Sequence, residues 1–273
     1  MNNTSGFHVR HDLLPAHTVE IMTLLRAVNR SEPLEKIQQV AQQHGYTIRN
    51  RKDWSKPLKS LEELGILAED KKHIGLTDTG RRIAAMTAFQ PDLLPDFVHF
   101  LYCTVYNDDE DKRFSWSYRL ICDTLWNSAP YVVNRDKLVN LVTAQALETF
   151  QVNGISFSTN SVYGVLNWLS ALRPACIAVQ DNEQKFIRRA YCSVELFMLS
   201  LHYVLRLYQD NDNWFAPITP EFRQEVCRVC LIVPEFFSEM LEQAEANFDC
   251  LQVRHERGDR IAIKEFSWST LES

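Results

Sequence analysis

The stretch LKSLEELGIL, residues 58–67, decides how the first part of the chain is expected to fold. Its leucines recur every three residues, which is the spacing of one buried helical face, and Gly65 ends that helix. The apolar pair after the glycine starts a short strand. The polar residues 68–73 then make a turn before a second strand. This stretch therefore predicts a helix followed by a β-hairpin.

The flanking sequence extends this unit in both directions. Downstream, LTDTG at residues 76–80 ends the second strand and begins another helix. Upstream, apolar residues at helical spacing predict helices over 17–28 and 33–43. Asn50 or Asp53 is expected to open the helix that carries the leucines. A start near Trp54 is the alternative, because Pro57 is tolerated in a first turn. The predicted order is three helices, a hairpin and a fourth helix.

Two motifs in this unit resemble parts of known regulators. LKSLEELGIL and LTDTG resemble the end of the recognition helix and the turn after the wing in prokaryotic winged-helix proteins of the MarR and PadR types. The resemblance covers residues 17–86, about a quarter of the chain. It implies a winged-helix fold and duplex DNA as the partner.

The middle of the chain repeats this plan as a pattern, and the C-terminal piece follows it less clearly. Further helices are expected over 115–126, 135–150, 159–172, 193–208, 220–231 and 234–246, and strands over 175–179 and 185–187. N-caps are expected from Thr77 or Asp78, Asn134, Ser158 or Thr159, and Thr219. The alternating stretch 251–264 predicts a hairpin, either a third wing or an appendage of the second unit.

The expected fold class is mainly α with small β-hairpins, arranged as tandem winged-helix domains. Three segments are predicted along the chain: a DNA-binding winged helix at 1–90, a second winged-helix-like domain with a long closing helix at 91–210, and C-terminal helices with a hairpin at 211–273.

Basic residues cluster on and before the proposed recognition helix. Residues 49–82 hold nine Lys and Arg against six Asp and Glu, a local charge of +3 in a chain whose net charge is −6. The predicted DNA-contacting residues are Arg49, Asn50, Arg51, Lys52, Ser55, Lys56 and Lys59 at the helix, and Lys71, Lys72 and His73 at the wing tip. The alternative is a solvated face on a non-enzymatic protein-interaction scaffold.

The corresponding helix of the second unit lacks Lys and Arg before Arg173. A surface that follows phosphates normally needs cations. The second unit is therefore expected to pack against its neighbour or form a dimer interface. Its wing carries Lys185, Arg188 and Arg189, which leaves a second DNA contact open. Homo-oligomerisation or association with other protein subunits is expected, in a regulator or in the DNA-contacting subunit of a prokaryotic complex, including antiviral defence or mobile-element systems.

Four metal-ligating residue types occur near the C-terminus. Cys227 and Cys230 form a C-x-x-C pair, and Cys250 and His255 could complete a zinc site. The pair lies within a predicted helix among apolar residues, so packing is favoured over zinc or a redox role. No cofactor or metal is predicted.

Enzyme and membrane classes receive no support from motifs. The chain has no Gly-rich phosphate loop, G-x-S-x-G or H-E-x-x-H motif, so no catalytic residue is predicted. No apolar run reaches the length of a membrane span, and the N-terminal residues do not resemble a secretory signal. The sequence predicts a cytoplasmic protein without a membrane partner.

Overall fold

The computed structural model describes residues 6–28, 31–43, 51–70, 73–208, 215–255 and 258–272, with the backbone alone at 34, 51–55, 70 and 272. The α-helices within these residues are α1 (Pro15–Val28), α2 (Leu34–Gln43), α3 (Arg51–Glu63), α4 (Asp78–Phe89), α5 (Leu93–Asp108), α6 (Arg113–Asn127), α7 (Arg135–Phe150), α8 (Thr159–Ala171), α9 (Val194–Tyr208), α10 (Pro220–Cys230) and α11 (Phe237–Asn247). None of these helices combines the length and the apolar character that a membrane span requires.

Nine short strands accompany the helices within the described residues. They are β1 (Glu32–Pro33), β2 (Leu67–Asp70), β3 (His73–Leu76), β4 (Tyr131–Val132), β5 (Ile177–Gln180), β6 (Glu183–Phe186), β7 (Ala216–Pro217), β8 (Leu251–Arg254) and β9 (Arg260–Ile263). They form small antiparallel sheets of three strands. The prediction of a mainly helical chain with small hairpins is therefore confirmed.

The same order of elements occurs three times in the described chain. A helix leads into a two-residue strand, two helices follow, and a hairpin of four-residue strands ends the unit. The strand orders are β1-β3-β2, β4-β6-β5 and β7-β9-β8, so the last strand is central in each sheet. We refer to residues 15–76, 113–186 and 194–263 as the first, second and third repeats. The C-terminal hairpin thus has its own third strand, β7.

Several predicted boundaries were wrong for identifiable reasons. Glu32 and Pro33 pair with β3, so α2 begins one residue later than predicted. Helix α3 begins at Arg51 rather than near Trp54, which places Pro57 inside the helix and beyond its first turn. The three two-residue strands were not predicted because two residues cannot display an alternating pattern.

Three predicted N-caps are confirmed. Thr77, Asn134 and Thr219 precede α4, α7 and α10, and each side chain accepts a backbone N–H three residues ahead. The donors are Gly80, Lys137 and Phe222, at 3.0, 3.0 and 3.2 Å respectively. Each bond satisfies one N–H group that a helix start leaves without an intrahelical partner.

The two motifs of the first repeat contact each other directly. Thr77 donates its hydroxyl to the Gly65 carbonyl oxygen at 2.7 Å and its backbone N–H to Ile66 at 3.0 Å. A Cβ on Gly80 would lie 2.1 Å from the Ile66 carbonyl oxygen, so only glycine permits this approach. This contact explains why the sequence needs a glycine at the start of α4.

The described chain divides into two compact units. Unit 1 comprises residues up to 118 together with 134–171, and unit 2 comprises 119–133 together with 172–273. The division of the sequence into segments 1–90, 91–210 and 211–273 follows chain order, and it stays a prediction.

Helix α5 forms the core of unit 1, although the sequence patterns did not single it out. Twelve of its sixteen residues are buried. Tyr102 stacks on Tyr118 with ring centroids 4.7 Å apart, and the Tyr118 hydroxyl lies 2.8 Å from Nδ1 of His99. In unit 2, α9 packs against α10 and α11, with Phe197 and Phe237 in edge contact at 5.5 Å.

Candidate nucleic-acid interface

Helix α3 is amphipathic in the way the leucine spacing predicts. Leu58, Leu61 and Leu64 are almost fully buried, whereas Lys56 and Lys59 are exposed. The buried leucines fix the rotation of the helix about its axis. The two lysines therefore stand on the solvent side of α3.

Both lysines already have acidic neighbours. Nζ of Lys56 lies 3.5 Å from Oδ2 of Asp12, and Nζ of Lys59 lies 2.7 Å from Oε2 of Glu62. The hydrogen bond to Glu62 raises the pKa of Lys59, so its ammonium group stays charged. The lysine side chains are 61% and 53% exposed, and exposed ion pairs of this kind contribute little energy. A phosphate could replace either carboxylate as the partner.

The other predicted contact residues are placed unevenly. Arg51, Lys52 and Ser55 belong to the first turns of α3, where the backbone alone is described. His73 begins β3, is exposed, and lies opposite Asp70 and Pro33 in the sheet. The remaining four predicted residues lie outside the described residues, and these are Arg49, Asn50, Lys71 and Lys72.

Arg10, which the sequence did not indicate, binds the C-terminal end of α3. Arg10 donates from Nε and Nη2 to the two carboxylate oxygens of Glu63, at 2.9 and 2.7 Å. This two-point bond ties the N-terminal segment, residues 6–13, to α3. The partners are 53 residues apart, so no local pattern reveals the pair.

The N-terminal segment also covers α8, the helix of the second repeat that corresponds to α3. A Cβ on Gly164 would lie 3.1 Å from the carbonyl oxygens of both Val9 and Arg10. Nδ1 of His8 and Oγ of Ser161 form a hydrogen bond of 2.5 Å. The packing role predicted for α8 agrees with this cover, which the sequence did not identify.

The corresponding helix of the third repeat, α11, is exposed but acidic. Phe237, Met240, Leu241 and Ala244 form its buried face. Its exposed side carries Glu239, Glu242 and Glu245, and no Lys or Arg occurs within its sequence. Such a surface repels phosphates rather than attracting them.

The candidate zinc ligands do not meet within the described part of the chain. Cys227 and Cys230 are fully buried in α10, whereas His255 is exposed and bonds to Asp259 at 3.0 Å. No described cluster of potential metal ligands contains the C-x-x-C cysteines, Cys250 or His255. Burial raises the pKa of Cys227 to about 12, so its thiol stays protonated. These observations favour the packing role.

Two further stretches of the middle region were open to a functional interpretation from sequence. The acidic run at residues 107–111 has the composition of a cation site or a solvated loop, and six aromatic residues between 114 and 168 could stack bases or form core. Residues 107–111 are exposed at the end of α5 and in the loop that leads to α6. The aromatic residues Phe114, Tyr118, Trp126 and Trp168 are buried, and Trp116 and Tyr131 are partly buried. The set therefore supplies core and not a stacking platform for bases.

Comparison of the chain with protein-family models, with curated proteins and with solved structures gives no match. The resemblance of residues 17–86 to winged-helix regulators thus rests on the two motifs.

Proposed function

We propose that the chain is a non-enzymatic DNA-binding protein built from three winged-helix repeats, which holds duplex DNA through the first repeat. It would serve as a transcriptional regulator or as the DNA-contacting subunit of a prokaryotic complex, with defence and mobile-element assemblies as settings. Helix α3 would enter the major groove, and the tip of the β2–β3 hairpin would follow the backbone.

The repeated element order supports the winged-helix assignment. In each repeat two helices are followed by a hairpin, and the hairpin pairs with a short strand that precedes those helices. In the first repeat, the bonds from Thr77 to the residues after α3 fix the hairpin relative to the helix. A helix and a hairpin held this way form one rigid surface.

The observation that carries the proposal is the position of Lys56 and Lys59. They are exposed on the face of α3 opposite its buried leucines. Their ion pairs with Asp12 and Glu62 are exposed and contribute little energy, so a phosphate can replace the carboxylates. The basic residues 49, 51 and 52 come just before or within the first turn of the same helix. Phosphates attract such a group within about one Debye length, whatever the sign of the distant net charge.

A protein-interaction scaffold is the second candidate, and a specific observation favours it. Of the three corresponding helices, α8 is covered by the N-terminal segment and α11 exposes glutamates. In these two repeats the helix that corresponds to α3 therefore presents no exposed cationic face to the phosphates of a duplex. Under this candidate the repeats dock partner subunits or a second copy of the chain.

The deciding experiment is fluorescence anisotropy of a labelled random-sequence duplex with the full chain, at about 50 and 200 mM salt. Lys56→Glu is compared with Lys137→Glu, an equal charge change at an exposed position on α7. We expect Lys56→Glu to weaken binding about tenfold and to reduce the salt slope by about 1, whereas Lys137→Glu leaves both nearly unchanged.

The double variant Lys56→Glu/Lys59→Glu should abolish detectable binding if α3 holds the duplex. Equal losses for Lys56→Glu and Lys137→Glu would mean that only net charge matters, and α3 would lose its assigned role. A wild-type chain that fails to bind duplex at low salt would exclude the DNA proposal and leave the scaffold.

A further inference from the structure

A cleft in unit 2 is lined by none of the residues assigned to DNA. Its volume is about 620 Å³, and its wall includes Trp126, Asn127, Arg188, Arg223, Gln224 and Glu235. All of these residues belong to unit 2. Two guanidinium groups therefore line one cleft with a single carboxylate.

Trp126 fixes the first guanidinium in place. Its indole Nε1 donates to the Ile232 carbonyl at 3.0 Å, which anchors the ring. Arg188 lies over that ring with Cζ 4.2 Å from the centroid, and its Nε donates to the Trp126 carbonyl at 2.8 Å. Stacking and one hydrogen bond thus orient Arg188 before any ligand arrives.

A neighbouring arginine shows what Arg188 lacks. Arg228 also contacts the Trp126 ring, at 5.6 Å, but its Nη1 donates to Glu225 at 3.0 Å. Arg188 forms no ion pair with any residue that the structure describes. Its Nη groups, which carry four of the five guanidinium N–H donors, remain available for an anion.

The second guanidinium is held in a comparable way. Nη2 of Arg223 donates to Oδ2 of Asp259 at 2.9 Å, and Cζ lies 5.2 Å from the Phe237 ring centroid. These contacts use one edge of the group, and Nε and Nη1 have no hydrogen bond within the described chain. Arg223 and Arg188 together bring two oriented cations to the same cleft.

We propose that this cleft binds the phosphate group of a small phosphorylated molecule. A phosphate presents several oxygens and close to two negative charges at neutral pH, which matches two arginines with free N–H donors. Trp126 and Pro220 supply apolar wall for the remainder of such a ligand. The site is independent of the proposed DNA contact at α3.

The test is isothermal titration calorimetry of the full chain with inorganic phosphate, at constant ionic strength set with chloride. Arg188→Gln and Arg223→Gln should each weaken phosphate binding about tenfold, the loss that one charge-assisted hydrogen bond carries. Arg254→Gln is the matched control, because Arg254 stacks on Phe215 in unit 2 and does not line the cleft. It should leave the affinity within about twofold of wild type.

Two further variants keep the test decisive if the arginine variants fail to fold. Gln224 and Glu235 are exposed, so substitutions there leave the core intact. Gln224→Glu adds a carboxylate to the cleft and should remove measurable phosphate binding. Glu235→Gln removes the existing carboxylate and should tighten binding several-fold.

Absence of phosphate binding to the wild-type chain would overturn the proposal, as would unchanged affinity in Gln224→Glu and Glu235→Gln. Acetate binding without phosphate binding would also overturn it, because the cleft would then select carboxylates. Loss of duplex binding in Arg188→Gln, in a chain that does not bind inorganic phosphate, would assign the cleft to the DNA backbone instead.

Discussion

Helices α3 and α11 have the same place in their repeats but opposite surfaces. Both bury an apolar face and expose the other side, yet α3 exposes Lys56 and Lys59 whereas α11 exposes a row of glutamates. The buried face sets the fold, and the exposed face is free to change without affecting it. Repetition of the fold therefore does not imply repetition of the binding function, and α8 adds a third case in which the face is covered.

The largest change in stability is expected from a substitution at Gly164, where the N-terminal segment covers α8. Gly164→Leu places a side chain against the backbone of Val9 and Arg10, and we expect the free energy of unfolding to fall by about 2 kcal/mol or more. Urea denaturation measures this change. Ser170→Leu, at an exposed position of the same helix, should alter stability by about 0.5 kcal/mol or less. Equal effects would mean that the N-terminal segment does not cover α8 in solution.

Arg10 connects the N-terminal segment to α3. Its removal therefore tests both the stability of the fold and the role of α3 in duplex binding. Arg10→Ala breaks both bonds to Glu63 and should lower the free energy of unfolding by about 1–2 kcal/mol, since the pair is only partly buried. It also leaves an uncompensated carboxylate on α3, which should weaken duplex binding. A cycle with Glu63→Ala isolates the pair energy. Additive losses in that cycle would show that the two side chains do not interact.

Charge reversal on α11 tests whether charge alone separates it from α3. Glu239→Lys/Glu242→Lys should increase duplex affinity several-fold at low salt and steepen the salt dependence by about 2, since each new lysine can contact one phosphate. Fluorescence anisotropy measures both quantities. Glu20→Lys/Glu148→Lys makes an equal charge change at exposed sites elsewhere. If the two double variants behave alike, α11 offers no surface that fits a duplex.

The smallest change in stability is expected from the titration of His8. Burial, with His11 and Arg10 nearby, lowers the pKa of His8 below 6.5. The folded state therefore favours the neutral ring over the protonated ring. The contribution of His8 to the free energy of unfolding is fully present above pH 6.5, and it declines as the pH falls from 6.5 toward the lower pKa of the folded state. His8→Asn should flatten this decline in urea denaturation. The comparison with wild type isolates His8, because His202, whose pKa burial lowers to about 4, titrates in both chains. Identical slopes would contradict the assignment.

Local patterns were sufficient for much of the fold. The spacing of apolar residues located α3 and α8, and short-range chemistry located the caps at Thr77, Asn134 and Thr219, because each depends on residues within a few positions. The C-terminal hairpin also followed from alternation and a turn. All of these features are encoded within one helix or one hairpin.

The features that decide the sites are long-range. Arg10 meets Glu63 and His8 meets Ser161 across 53 and 153 residues, and Arg188 reaches the Trp126 carbonyl across 62. One local signal was present, because an isolated glycine within an apolar helix, such as Gly164, indicates close approach of another backbone. It could not say that the approaching backbone is the N-terminal segment.

The interruption of both compact units by the other's chain has a consequence for biosynthesis. Residues 119–133 leave the ribosome long before the rest of unit 2. The hydrogen bond from Trp126 to the Ile232 carbonyl oxygen therefore cannot form until residue 232 has been synthesised. Unit 1 likewise cannot close until residue 171 has emerged. A nascent chain of this design exposes apolar side chains during much of its translation, which is when chaperones act. A fragment that stops at residue 171 would keep the first strand of unit 2 without its sheet.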